Sequence, residues 1–272
     1  MVRGNLHIFT SSNFTYSTME LFETVLWIVA GTGLVVFIAL YFVDAGYGKL
    51  ISGKWGPTIP SRIGWIIMEC PIFFVMLYLW WTSSVRYDIP YLLFLLFFEL
   101  HYFHRSFVFP LRSRGNSRMP IAIVLMSIAF NFVNGYIQGW WLFRLSPEFS
   151  PYSPSWIGSW QFIAGTVLFF LGMLINRNSD EIIRSLRKPG DTAHYFPKAG
   201  MYRFVTSANY FGEIMEWAGW AVLTWSWSGA VFCWFTCANL VPRANSIYHR
   251  YEQEFPEEIE KLHPKRVFPF IY

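Results

Sequence analysis

Two polar stripes hold most of the side chains in this sequence that could do chemistry. Asn176, Asp180 and Arg184 stand at i, i+4 and i+8, with Arg187 continuing the stripe, and Asn209, Glu213 and Glu216 stand at i, i+4 and i+7. On helices such spacing puts each set on one face, so two neighbouring helices would turn amides, carboxylates and guanidiniums toward each other. Amides and carboxylates can bind ribose hydroxyls or a nicotinamide carboxamide, and an arginine fork matches phosphate bidentately. The same spacing also suits a polar clamp between two helices beside a basic loop, and spacing alone leaves both open. Apart from the stripes, Glu69 is a lone carboxyl six residues into an apolar run. A charged group at the centre of a membrane helix costs about 2.5–3.5 kcal/mol on insertion scales, so its position points to function rather than structure.

The elements that must position these residues are membrane helices. The 272 residues are 54% hydrophobic, 21% aromatic and only 14% charged, whereas a soluble domain carries about 25% charged residues. Apolar runs long enough to cross about 30 Å of hydrocarbon occur at 21–43, 63–81, 90–108, 119–143, 156–175, 204–225 and 229–241, the last short and expected to continue as a helix into water. The expectation is an all-α, polytopic protein of seven transmembrane helices. Turn-rich connectors join the runs, as in SRGNSRMP and SPEFSPYSPS. With no internal repeat or linker, residues 1–272 read as a single domain, and the polar first twenty residues lack the pattern of a secretory signal. Cys70, Cys233 and Cys237 lie in apolar runs, without zinc-finger spacing, and read as small core residues.

Basic residues orient the bundle. All of the 21 Lys and Arg except Arg3, Arg86 and Arg144 fall in the first, third and fifth connectors, at the helix ends beside them, or in the C-terminal segment. This places the N-terminus outside and the C-terminus in the cytoplasm, in a bacterial inner membrane or one of endoplasmic-reticulum type. Because the formal charge of +4 is segregated in this way, no nucleic-acid partner is expected. At about 1.5 Å per residue, Glu69, Glu99, Tyr102, Arg105, both polar stripes, Arg243, Tyr248 and Tyr251 all fall in the cytoplasmic half, which predicts a polar cavity open to the cytosol.

Specific strings carry a family resemblance: LHYFHRSFVFP (100–110), NGYIQ (134–138), GMLINRNSDEIIRSLRKPGDT (172–192), ANYFGEIMEWAGWA (208–221), Arg243-Ala244, Tyr251 and the terminal PFIY. The chain resembles the steroid 5α-reductases, membrane enzymes that use NADPH to reduce a double bond conjugated to a ketone. The resemblance implies catalytic roles for Glu69, two residues before Pro71, and for Tyr102 in the HYFHR string. Together they would polarise the ketone while hydride passes to the β carbon. It further implies cofactor binding by Arg105, Arg114, Asn176, Asp180, Arg187, Asn209, Glu213, Arg243 and Tyr251, with a steroid-like substrate arriving from the membrane lipid and a monomeric enzyme. The absence of a G-x-G-x-x-G string and of strand–helix alternation argues against a Rossmann site.

Three positions depart from the family pattern: Met68 replaces a glutamine, His194 a tyrosine and Ile247 a histidine. They bear on substrate identity, and the central cofactor residues are intact. His101 and His104 stand at i and i+3 without a carboxylate pair in a recognised metal spacing, so no metal is expected. Trp140 and Trp141 read as interface anchors, and Asn131 as a structural residue. Two rival readings are a membrane methyltransferase of the isoprenylcysteine type using S-adenosylmethionine, and a non-enzymatic lipid receptor or transporter.

Overall fold

A computed structural model describes residues 3–43, 55–113, 117–149, 151–186 and 193–272, with side chains from residue 17 onward. Seven long helices are found among the described residues: α1 (Arg3–Ala39), α2 (Ser61–Trp81), α3 (Ile89–Arg112), α4 (Ile121–Phe149), α5 (Trp160–Ser185), α6 (Ala208–Thr224) and α7 (Trp227–Glu254). A short α8 (Pro256–Leu262) follows. The first five meet the length and apolarity needed to cross a membrane. Their outer faces expose Val35, Phe74, Tyr78, Leu96, Leu125, Val167 and Leu174, an apolar surface of the kind expected against lipid tails. The chain is a multi-pass membrane protein.

Helix lengths differ from the apolar runs in a consistent way. Helix α5 continues to Ser185, ten residues past the expected end at 175, and α7 runs on past its short apolar run to Glu254, as expected. Hydropathy reports where the apolar surface ends, whereas backbone hydrogen bonding carries the helix on through polar sequence. The Asn176–Arg184 stripe therefore lies within α5. Helix α6, at 17 residues, is shorter than its run. It ends at Trp225 in the left-handed region (φ 45°), and Ser226 then caps α7 by accepting from Gly229 N at 3.1 Å.

Proline shapes the two helices that contain π-helical turns. In α3 the π turn His104–Val108 precedes Pro110, and in α4 the π turn Trp141–Leu145 precedes Pro147. A helical proline cannot serve the carbonyl four residues back, and widened turns of this kind gather at functional sites. The carbonyl left over by Pro147 belongs to Phe143, and it accepts from Ser83 Oγ and Arg144 Nη1, each at 3.0 Å.

Helix pairs are fixed by glycine. Helices α5 and α6 run antiparallel in backbone contact: a Cβ at Gly165 would lie 2.3 Å from Leu223 N, one at Gly172 2.2 Å from Glu216 N, one at Gly212 2.4 Å from Asn176 N and one at Gly219 2.3 Å from Phe169 N. Small residues repeated along a membrane helix permit this approach. Helices α2 and α4 run parallel, with Gly135 against Val75 and Gly139 against Met76 and Leu79. Their starts are tied by two short antiparallel strands, β1 (Thr58–Pro60) and β2 (Arg118–Pro120). Helix α1 lies on α7, where Trp234 Nε1 donates to the Ala30 carbonyl at 3.0 Å. The C-terminal segment returns beneath α6: Thr206 N donates to Lys265 O and Lys265 N to Phe204 O, at 2.8 and 2.7 Å.

Candidate active site

The register set by the glycines decides which polar residues meet. One turn beyond the Gly172–Gly212 contact, Asn176 Nδ2 donates to the Asn209 carbonyl at 2.9 Å and to Glu213 Oε2 at 3.4 Å. Asn209 Nδ2 donates to Asp180 Oδ1 at 3.1 Å, and its Oδ1 accepts from the buried Tyr202 hydroxyl at 3.5 Å. Burial and then the neighbouring Asp180 charge raise the Tyr202 phenol well above its ordinary range, so Tyr202 remains a donor and the Asn209 amide keeps one orientation. The stripes on α5 and α6 do face each other.

Arg105 reaches this pair from the π turn of α3. Its guanidinium lies 4.5 Å from the Trp65 ring centroid and 4.9 Å from that of Phe109, between two aromatic faces. Its nitrogens stand 3.8 Å from Asp180 Oδ2 and 3.6 Å from Glu213 Oε2. From α7, buried Arg243 donates to Asn239 Oδ1 at 3.3 Å and lies over the Tyr210 ring at 5.3 Å.

Two cavities meet at these residues. One, of about 410 Å³, is lined by Arg112, Arg177 and Arg184 and, among the expected cofactor residues, by Asp180, Asn209, Arg243 and Tyr251. The other, of about 560 Å³, is mainly apolar, with Met68, Phe130, Trp217 and Leu240 in its wall beside Glu69, Tyr102, Arg105 and Glu213. Trp65, Tyr210 and Arg243 border both. Arginines with amides and carboxylates form a donor set that fits a dinucleotide, the phosphates at the guanidiniums and the hydroxyls at the carboxylates. The apolar volume with Glu69 and Tyr102 in its wall fits a lipophilic molecule carrying a single polar oxygen.

Glu69 and Tyr102 are each held from α4. Asn131 Nδ2 donates to the Met68 carbonyl at 2.5 Å and to Glu69 Oε2 at 3.2 Å, and Asn134 Nδ2 donates to Tyr102 Oη at 3.4 Å. The phenol ring packs between Phe98 and Trp217, at centroid distances of 4.7 and 5.8 Å.

Other expected positions fall differently. Asn176 lines neither cavity and instead braces Asn209 and Glu213 from below. Glu216 leaves its stripe: it is buried and pairs with His101 Nδ1 at 2.8 Å. Arg184 pairs with Glu181 along its own helix. Glu99 borders neither cavity, and its buried oxygens have no hydrogen-bond partner among the described residues. Trp141 faces inward, donating to Tyr152 Oη at 2.9 Å. Arg114 and Arg187 lie outside the described residues.

Sequence reasoning passed over His101 as a partner and Trp65 as a ring beneath Arg105. The His101–Glu216 pair links residues 115 positions apart and leaves no local pattern. For Asn131, Asn134 and Gln138 a signal existed, since i, i+3 and i+7 is a helical stripe.

Comparison with known proteins matches residues 117–272 to the 3-oxo-5-alpha-steroid 4-dehydrogenase family. The chain is similar to a protein named steroid 5-alpha-reductase DET2 from Gossypium hirsutum, 38% identical over 251 residues that cover 91% of this chain and 95% of that protein. The Arabidopsis thaliana protein of the same name is 37% identical over 241 residues, 86% of this chain and 90% of its own. A Homo sapiens protein named 3-oxo-5-alpha-steroid 4-dehydrogenase 1 is 35% identical over 255 residues, 93% of this chain and 96% of its own.

Proposed function

The chain belongs to the 3-oxo-5-alpha-steroid 4-dehydrogenase family of steroid 5α-reductases, and on that premise we propose that it uses NADPH to reduce the C4–C5 double bond of a 3-oxo-Δ4-steroid or similarly shaped lipophilic enone. Membership makes it an oxidoreductase acting on CH–CH groups, which sets aside the methyltransferase and receptor readings. The observation that carries the proposal is the meeting of two cavities of opposite character at Trp65, Tyr210 and Arg243, with Glu69 and Tyr102 in the apolar one.

When bound, NADPH supplies a hydride to the substrate's β carbon, and a proton from water completes the α carbon. Arg105 and Arg243, with Arg114 and Arg187, neutralise its phosphates, while Asn176, Asp180, Asn209, Glu213 and Tyr251 form and brace the nucleoside cradle. Tyr102 donates a hydrogen bond to the ketone oxygen, which gains negative charge as the β carbon is reduced. A donor aimed beforehand at such an oxygen in a dry site is the most effective form of electrostatic stabilisation. Glu69 backs this role, and a carboxyl kept neutral by apolar surroundings can donate rather than repel.

We further read residues 1–272 as one domain of seven crossing helices, α1 to α7, with the N-terminus outside and the C-terminus in the cytoplasm. The enzyme works as a monomer. NADPH reaches the arginine-rich cavity from the cytosol, and substrate enters sideways from the bilayer.

The test is to incubate membranes containing the protein with NADPH and testosterone, progesterone or another enone, and to look by mass spectrometry for a gain of two hydrogens. Purified protein stabilised by S-adenosylmethionine and indifferent to NADPH, or membranes that reduce none of these enones, would sink the proposal.

A further inference from the structure

Four buried side chains on three helices, with one backbone carbonyl from a fourth, form one hydrogen-bonded line that ends on Tyr102. Trp220 Nε1 on α6 donates to Gln138 Oε1 on α4 at 2.9 Å. Gln138 Nε2 donates to the Ser228 carbonyl on α7 at 2.8 Å and to Asn134 Oδ1 at 3.3 Å. Asn134 Nδ2 then donates to Tyr102 Oη on α3 at 3.4 Å. Trp220 and Asn134 are fully buried, Gln138 is 1% exposed and Tyr102 3%.

The direction of this line is forced at its far end. An indole N–H can only donate and a backbone carbonyl can only accept. Trp220 therefore requires the oxygen of Gln138, and Ser228 requires its nitrogen, so the amide has one permitted orientation. The remaining Gln138 N–H then requires the oxygen of Asn134, which turns the Asn134 nitrogen toward Tyr102. With its oxygen already accepting an N–H, the Tyr102 hydroxyl keeps its single proton for a partner in the cavity it lines. A flipped Asn134 would offer Oδ1 instead and draw that proton away from the cavity.

We infer that Trp220, Gln138 and Asn134 are positioning residues that set the hydrogen-bond polarity of Tyr102, so that its hydroxyl donates to the substrate ketone instead of to the protein. No proton travels along the line; it fixes orientation only. The inference rests on the reading of Tyr102 as the ketone's donor.

Trp220→Phe keeps the ring, removes one of the two groups that set the direction, and leaves the Gln138 oxygen without its donor and the amide held by the Ser228 carbonyl alone. The expected result is a kcat about tenfold lower, the worth of one buried hydrogen bond, with NADPH affinity within about twofold of the parent because no link in the line borders the arginine-rich cavity. Asn134→Ala should lower kcat by at least as much. Since the two act in series, the double variant should be no slower than Asn134→Ala alone. Residues that merely support the fold would give the product of the two losses, and that outcome, or an unchanged kcat in Trp220→Phe, overturns the inference. Gln138→Met takes the place of Asn134→Ala in this cycle if the latter does not give protein that binds NADPH. Tyr102→Phe separates the two layers: full turnover removes the donor reading itself, whereas lost turnover beside an unaffected Trp220→Phe removes only the line.

Discussion

Replacing Gly172 by alanine should loosen the cofactor cradle without touching any residue in it. The added Cβ would stand 2.2 Å from Glu216 N and 2.6 Å from Gly212 O, and 3.4 Å marks the start of ordinary contact. Both obstacles are backbone, so no rotamer change relieves them, and α5 must move away from α6 by about 1.2 Å, the difference between 3.4 and 2.2 Å. That movement is larger than the margin of the nearby hydrogen bonds. Asn209 to Asp180 is 3.1 Å and Asn176 to the Asn209 carbonyl 2.9 Å, so both would open to roughly 4 Å, beyond hydrogen-bond range. Overpacking costs about 1–3 kcal/mol in stability. Losing two such bonds, at about 1 kcal/mol each, corresponds to NADPH binding weaker by roughly ten- to thirtyfold. Thermal unfolding in detergent micelles and titration of NADPH by its nicotinamide fluorescence measure the two effects. Gly31→Ala, whose Cβ would meet nothing within 4 Å, serves as the control with neither effect. A Gly172→Ala protein with parental unfolding temperature and NADPH affinity would refute the claim that backbone contact sets the register of the cradle.

Other substitutions separate the two cavities. Tyr102→Phe should bind NADPH normally and lose about 10²- to 10³-fold in turnover, the usual effect of removing a donor from a developing oxyanion; unchanged turnover would end the assigned role. Asn209→Ala, which removes the donor to Asp180, and Arg187→Ala should each raise the KM for NADPH before they lower kcat, measured by initial rates at saturating enone; a loss confined to kcat would contradict the cradle. Met68→Gln, in the wall of the apolar cavity next to Glu69, should change the ranking of enones by kcat/KM and leave NADPH affinity alone. If the ranking were preserved across a panel of enones, Met68 would have no part in substrate choice.

The sequence made the polar stripes legible because helical spacing is a local property. Asn176, Asp180, Asn209 and Glu213 could be placed on facing surfaces without coordinates. The glycines at 165, 172, 212 and 219 also carried a signal, seven residues apart on each helix, which accounts for why those surfaces meet in register. What stayed hidden were contacts between distant segments with no spacing of their own. Glu216 shares its stripe spacing with Glu213, yet it turns to His101 because its carboxylate lies deep in the bundle, where an unpaired charge is most costly. Trp65 looks like any membrane-interface tryptophan until Arg105 is seen between it and Phe109. The end of α5 was misjudged for a physical reason as well, since a helix continues wherever its backbone can, and α5 carries its polar residues well past the apolar run.

The two halves of the site are built on different principles, and this bears on how each responds to change. The cofactor cradle depends on backbone proximity: α5 and α6 touch at four glycines, and the amides and carboxylates above them inherit their distances from that contact. Its tolerance is therefore set by sterics, and a single methyl group is enough to exceed it. The groups that face the ketone depend on donor and acceptor identity. Asn131 and Asn134 hold Glu69 and Tyr102 through amides whose orientation is dictated by neighbours that can only donate or only accept, namely Trp220 Nε1 and the carbonyls of Met68 and Ser228. There, a substitution that preserves volume and removes one N–H does more harm than one that alters shape nearby. Arg105 belongs to both halves, facing Asp180 and Glu213 with its charge while resting on Trp65 and Phe109, so its substitution should disturb cofactor affinity and turnover together.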